Sequence, residues 1–306
     1  MDNNLNGEVL ATVPFLYKKI HNCKAIMAMP ISFNFSSVML QCMDYSLGVR
    51  SFDLLGIPAF SKNFLSESNT VLETLKLSIE KHNIELVTLF QHVDFHNGGR
   101  STRFDSGFEE DYFHKKGLIA SMLKIRRDYP KKEVRAIYAR LIRENTEVEL
   151  VEVFDNGKES VRMVAPYWFR GVYKCEAVLV LCLDFRFRKE SRLCIRDSFK
   201  IQALDLVGIP GSAQSFLKGA MVSWKALKVA IERHGCKTVY ILQHADCGAY
   251  KGIIKSLNGF DEEIFQRNQM YIFEHKILKK YPHVRVVKVY ARLIDNDTKI
   301  QFVRFD

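Results

Sequence analysis

The chain has 306 residues, 47% hydrophobic and 26% charged, which is enough for two domains with cores of their own and excludes a disordered tail. No apolar run approaches the roughly 18 residues of a membrane span, and the polar start, Met1 to Gly7, does not read as a secretory signal, so a cytoplasmic protein is expected. The net charge of +10 bears on solubility more than on fold, and the basic stretches Lys124–Lys132 and Phe185–Arg196 lack interleaved base-stacking residues, so no nucleic-acid partner is expected.

In chain order, the first half predicts an apolar strand over Val38 to Met43, then a turn carrying Gly56 and Pro58. An amphipathic helix near Thr70 to Lys81 follows, then a buried strand, Leu86 to Phe90, whose end leads to a loop with His92. A helix-rich stretch then leads into a third strand, Val134 to Ile142. The same order returns as a strand at Val178–Leu183, a Gly208-Ile209-Pro210 turn, a helix near Ala220–Arg233 and strands at Thr238–Leu242 and Val284–Ile294. A returning edge strand is predicted to end near Phe302.

The two halves share words as well as order. Asp53-Leu54-Leu55-Gly56-Ile57-Pro58 recurs as Asp205-Leu206-Val207-Gly208-Ile209-Pro210, an offset of 152 residues. Gln91-His92-Val93-Asp94 and Tyr138-Ala139-Arg140-Leu141-Ile142 recur at the same offset. Upstream, Cys42-Met43-Asp44 pairs with Cys182-Leu183-Asp184 at an offset of 140, which implies twelve additional residues in the second copy. The reading is two homologous domains, 1–160 and 161–306. Alternating strands and helices imply in each a mainly parallel sheet flanked by helices, an α/β architecture whose sites form beyond the carboxyl ends of strands.

Seven cysteines, an odd and sparse number, do not make a disulfide framework. In the second half, His244-Ala245-Asp246-Cys247 sets an imidazole and a thiol three residues apart on one loop, and Cys182 arrives from another strand end. Two thiolates and one imidazole, with one position left open, form a donor set for catalytic Zn2+. Taken singly, each of these residues is better explained as a buried thiol or a satisfied loop histidine. Cys23, Cys175, Cys194 and Cys236 have no ligand partner at suitable spacing and read as ordinary thiols, and Trp168 and Trp224 read as packing anchors.

Taken together, Cys182-Leu183-Asp184-Phe185-Arg186 and His244-Ala245-Asp246-Cys247-Gly248 resemble the paired signature of the β-class carbonic anhydrases, Cys-x-Asp-x-Arg and His-x-x-Cys-Gly. Phe185 stands where that family usually has a small residue. The resemblance implies a zinc lyase that interconverts carbon dioxide and bicarbonate, with Cys182, His244 and Cys247 as metal ligands and Asp184 and Arg186 as an orienting dyad. Asp184 would accept a hydrogen bond from the attacking nucleophile, and Arg186 would clamp Asp184; without that clamp, Asp184 could itself take the fourth metal position.

It also implies two tandem β-carbonic-anhydrase-like halves that form an internal pseudo-dimer, with further pairing of chains left open. At the equivalent positions the first half has Cys42, Asp44, Ser46, His92 and Phe95, with His96 as a substitute ligand, and reads as a degenerate copy that holds no metal. Two alternatives stay open: a catalytically silent zinc-binding scaffold, and a hydrolase of a related small molecule such as carbon disulfide.

Overall fold

The computed structural model describes residues 7–18, 20, 23–58, 69–93, 95–96, 99–100, 104–169, 174–251 and 259–305. It is a mixed α/β structure with two six-stranded sheets. The strands are β1 Glu8–Pro14, β2 Ala25–Pro30, β3 Phe52–Ile57, β4 Leu86–His92, β5 Phe95–His96, β6 Gly99–Arg100, β7 Glu133–Ile142, β8 Glu147–Val153, β9 Glu159–Pro166, β10 Ala177–Cys182, β11 Leu204–Ile209, β12 Thr238–His244, β13 Arg285–Ile294 and β14 Lys299–Phe305.

One compact unit comprises Asn22–Lys174, and its sheet has the order β3-β2-β4-β7-β8-β9. The other comprises Met1–His21 with Cys175–Asp306, and its sheet has the order β1-β14-β13-β12-β10-β11. The chain is therefore not divided at a single point near residue 160. β9 continues antiparallel from β8 in the Asn22–Lys174 unit, whereas β1 pairs antiparallel with β14 in the other. β14, expected at the sheet edge, thus has a neighbour on both sides, which covers the backbone groups that an edge strand would leave open.

The register is the same in both sheets at one offset. Ala25 pairs with Phe52 and with Leu86, and Ala177 pairs with Leu204 and with Thr238. Leu86 pairs with Glu133 as Thr238 does with Arg285, and Ile142 with Glu147 as Ile294 does with Lys299. Every one of these pairs moves by the offset of the repeated Gly-Ile-Pro words, with no insertion between the halves.

That constancy corrects the first-half strand. Val38–Met43 is not a strand; it lies in the helix Phe33–Gln41 and the wide helical turn Cys42–Ser46 that continues it. The run is rich in Met, Leu and Gln, which keep their rotamer freedom in a helix, and Phe35, Val38, Met39 and Met43 recur at spacings of three and four and are all buried. The strand is Ala25–Pro30, buried throughout. The Gly-Ile-Pro segments are also not turns. Gly56 and Gly208 lie inside β3 and β11, parallel strands whose chains turn only beyond Ile57 and Ile209.

The remaining elements fall close to expectation. Helix Asn69–Lys81 leads into β4, and helix Met221–Lys228 with its wide turn Val229–Arg233 leads into β12. The long helices Gly107–Asp128 and Gly259–Lys280 precede β7 and β13. Ser106 caps the first of these by accepting a hydrogen bond from the Glu109 backbone N–H. β10 and β12 are near-continuous apolar runs because parallel strands covered by helices bury both faces. Trp224 packs edge-on against Phe216 and Phe273, but Trp168 is exposed, not a core anchor. Among the described residues, no helix is long and apolar enough to cross a membrane.

Candidate metal centre

β10 and β12 are adjacent parallel strands, so their carboxyl ends open at one rim of the sheet. Cys182 ends β10 and His244 ends β12. The chain then turns through Asp246, whose φ of 55° is left-handed, and this short excursion returns Cys247 to the same rim. The donor atoms of Cys182, His244 and Cys247 all lie within 4.8 Å of one another, and all three residues are buried. The two sulfurs are 3.8 Å apart, close to the separation of about 3.8 Å set by two bonds of ~2.3 Å at a tetrahedral zinc.

The imidazole is oriented for this task. His244 Nδ1 hydrogen-bonds to the Ala245 carbonyl at 2.8 Å, so that nitrogen carries the proton and Nε2 keeps the lone pair. Nε2 is buried and has no hydrogen-bond partner, a deficit that a metal ion would remove. The ring lies flat against Phe187, centroids 4.2 Å apart, and the His244 carbonyl accepts from Gln266. The residues present therefore fit a zinc ion by donor type, spacing and burial.

The thiols interact with each other. The hydrogen bond from Cys247 holds the Cys182 thiol well below the usual range, against the cost of burial, and its counterpart Cys247 is pushed well above it. The Gly211 backbone N–H adds a donor to Cys182 Sγ at 3.3 Å. Gly211 has φ +64°, and a Cβ there would stand 2.9 Å from the Ala249 Cβ. Gly211→Ala should therefore cost about 1–3 kcal/mol, read as a lower denaturant midpoint.

Beside this cluster lies the Asp184–Arg186 pair. Asp184 caps helix Phe185–Phe199 by accepting from the Arg186 backbone N–H. The guanidinium of Arg186 grips the same carboxylate, Nε to Oδ1 at 3.0 Å and Nη2 to Oδ2 at 2.7 Å. Burial pushes the Asp184 carboxyl up, but the bonds from Arg186 outweigh it and bring the group down to about 2. Its Oδ2 lies 3.9 Å from His244 Nε2. All five expected residues therefore meet at one rim.

Sequence reasoning missed what steadies Arg186: Asp246 accepts from Nη1 through Oδ2 at 2.8 Å and from Nη2 through its backbone carbonyl. Its signal was present as the second x of His-x-x-Cys, an acidic residue in a tight loop. Phe185 is buried, with its ring edge-on to Tyr17.

The other unit departs further from this pattern than the sequence comparison indicated. Because β2 holds the register of β10, the position of Cys182 is taken by Pro30, and those of Asp184 and Arg186 by Ser32 and Asn34. Cys42, Asp44 and Ser46 belong to the wide turn after the first helix and are not the counterparts of Cys182, Asp184 and Arg186. Burial pushes the Cys42 thiol up to about 11. His92 alone is retained, stacked on Phe35 as His244 is on Phe187. The side chains of Phe95 and His96 lie outside the described residues.

Residues 172–304 match the family described as "Putative carbonic anhydrase". An uncharacterised protein of Rickettsia bellii is 27% identical over 136 residues, covering 42% of this chain and 81% of that protein. One from Rickettsia conorii is 25% identical over 136 residues, covering 42% and 72%. A solved β-carbonic anhydrase of the fungus Aspergillus fumigatus aligns over 45% of this chain and 94% of its own, at 9% identity and a TM-score of 0.31, too loose to carry an argument. Every residue of the rim lies within 172–304, the part of the chain that matches this family.

Proposed function

We propose that this chain is a zinc-dependent carbonic anhydrase, with its one such centre in the C-terminal half. The observation that supports this most directly is the convergence of Cys182, His244 and Cys247 within 4.8 Å beside a carboxylate gripped by Arg186. Cys182, His244 and Cys247 would hold the ion. Zinc there would supply Lewis acidity, drawing the pKa of a water from 15.7 towards about 7.

The chain's own residues do the rest. His244 presents Nε2 because Nδ1–H is engaged by Ala245. The Gly211 N–H takes up part of the negative charge on Cys182. Asp184, ionised, can only accept hydrogen bonds, so it orients an O–H-bearing nucleophile with its lone pair towards the carbon of carbon dioxide. Arg186 prevents that carboxylate from turning. Tyr250, Ala249 and Phe265 pack against the two cysteines and exclude bulk water from that side. Carbon dioxide and water combine to bicarbonate with release of one proton. The substrate is thus a small molecule, and seven buried cysteines suit a reducing, cytoplasmic setting.

Zinc-loaded protein should accelerate hydration of carbon dioxide above the buffer rate in a stopped-flow assay. Zinc-loaded protein with no such rate would overturn the proposal in favour of a silent zinc scaffold, and turnover of carbon disulfide instead would assign the other chemistry. We further read the two halves as copies of one ancestral domain that stand in for the subunits of a dimer, a reading that rests on the sequence repeat. The N-terminal copy, with Pro30, Ser32 and Asn34 at the positions that matter, holds no zinc; His92→Ala should leave the zinc content and the hydration rate unchanged.

A further inference from the structure

At the amino ends of the same strands, a second group of donors gathers, none of which the centre above uses. Cys175 lies just before β10, Asp205 is the second residue of β11, and Cys236 lies just before β12. Their donor atoms all lie within 4.8 Å of one another and all three residues are buried. By strand length this place is roughly 20 Å from Cys182. The sequence reading of Cys175 and Cys236 as ordinary thiols is thereby revised: the two are far apart along the chain, but adjacent parallel strands begin at the same level.

Asp205 decides what the cluster can do. It is fully buried. His234 Nδ1 hydrogen-bonds to Oδ2 at 2.7 Å, and Cys236 Sγ stands 3.8 Å from the same oxygen. Oδ1 is buried with no hydrogen-bond partner, which is costly for a carboxylate unless an ion or water completes it. The histidine–carboxylate contact is too short for both atoms to ligate one ion, so His234 is the outer partner that orients the carboxylate.

The other unit provides an internal comparison. Cys23, Asp53 and His82 occupy the same places one repeat earlier, and His82 Nδ1 bonds to Asp53 Oδ2 at 2.6 Å. The aspartate–histidine pair is therefore common to both units and is architectural. There, however, Ile84 stands in place of Cys236, and the Ser78 hydroxyl hydrogen-bonds to the carboxylate where the C-terminal half has Ala230. The second thiol and the unpartnered oxygen occur together, in the C-terminal half only.

We propose that Cys175, Cys236 and Asp205 form a second binding site for a soft divalent cation, Zn2+, with His234 as its outer partner. Two thiolates select zinc over calcium or magnesium, which take oxygen donors. The donor atoms lie within 4.8 Å of one another, a little wider than the separations of about 3.5 to 3.8 Å that bonds of ~2.3 Å and ~2.0 Å impose at a tetrahedral ion. His234, only partly buried, marks the side from which the ion enters.

The test counts metal per chain on the intact protein. Native protein purified with zinc should hold two equivalents; Cys236→Ile, which installs the residue found at this place in the other unit, should remove one, and Cys182→Ser should remove the other. If Cys236→Ile leaves the count unchanged, the proposal is overturned, whatever becomes of the hydration activity. A Cys175–Cys236 disulfide in the native protein, seen by mass spectrometry without reductant, would overturn it as well. Should Cys236→Ile fail to fold, Co2+ loading of Cys182→Ser decides: thiolate-to-cobalt absorption supports the second site, and its absence refutes it. One equivalent in native protein, retained in Cys182→Ser and lost in Cys236→Ile, would uphold this site while removing zinc from the other.

Discussion

Replacing Cys182 with serine is expected to remove one zinc equivalent per chain and to bring carbon dioxide hydration down to the buffer rate. A serine hydroxyl is not deprotonated at neutral pH as a thiolate ligand is, and the cluster would keep only His244 and Cys247. The loss should exceed the roughly 10–100-fold that removal of an outer-shell partner costs, because a direct donor is gone. The fold should persist: Cys182 ends β10, and the strand's backbone pairing with β11 and β12 does not depend on its sulfur. Metal analysis, stopped-flow rates and circular dichroism on the same preparation separate these effects. Full activity in Cys182→Ser would remove this residue from the centre.

Arg186→Met is expected to act differently, leaving the zinc in place while abolishing activity and costing stability. Asp184 and Arg186 are both buried, and removing the guanidinium leaves a carboxylate without its charge partner. Breaking such a pair costs about 3–5 kcal/mol, which a denaturant titration of the zinc-free protein would resolve. Adding Asp184→Asn to the same chain should return much of that stability, because no uncompensated charge remains, but none of the activity, because the amide can donate a hydrogen bond in place of accepting one. Arg186→Lys should recover little, since an ammonium cannot grip both carboxylate oxygens and the Asp246 carbonyl together. In Arg186→Met, X-ray absorption should show an added oxygen ligand as the freed Asp184 turns to the zinc. An unchanged hydration rate in this variant would sink the dyad.

How much of this was legible beforehand depends on the kind of signal. The five residues at the rim belong to two short segments whose internal spacing is a local property of the chain, and only the crossing between strands had to be supplied by the fold. The helices Asn69–Lys81 and Met221–Lys228 and the strands β4, β7, β12 and β13 were read from periodicity to within a few residues. The misplaced first-half strand has a local cause. Val38–Met43 and Ala25–Pro30 are both short apolar runs, and without sheet partners a run of that length does not distinguish a buried strand from a buried helix. Choosing the wrong one aligned Cys42 with Cys182 and made the N-terminal half look closer to intact than it is.

By itself the sequence determined the α/β pattern, the constant offset between the halves and the donor types at residues 182, 244 and 247, because each is carried by neighbours along the chain. Tertiary structure alone decided that β1 completes the C-terminal sheet, that Pro30 occupies the place of Cys182, and that Asp246 backs Arg186. It also decided that Cys175, Asp205 and Cys236 meet at the opposite rim. The physical reason is the parallel sheet, which sets residues scores of positions apart side by side at the ends of neighbouring strands, in a register that hydrogen bonds between strands fix and that one-dimensional spacing does not record.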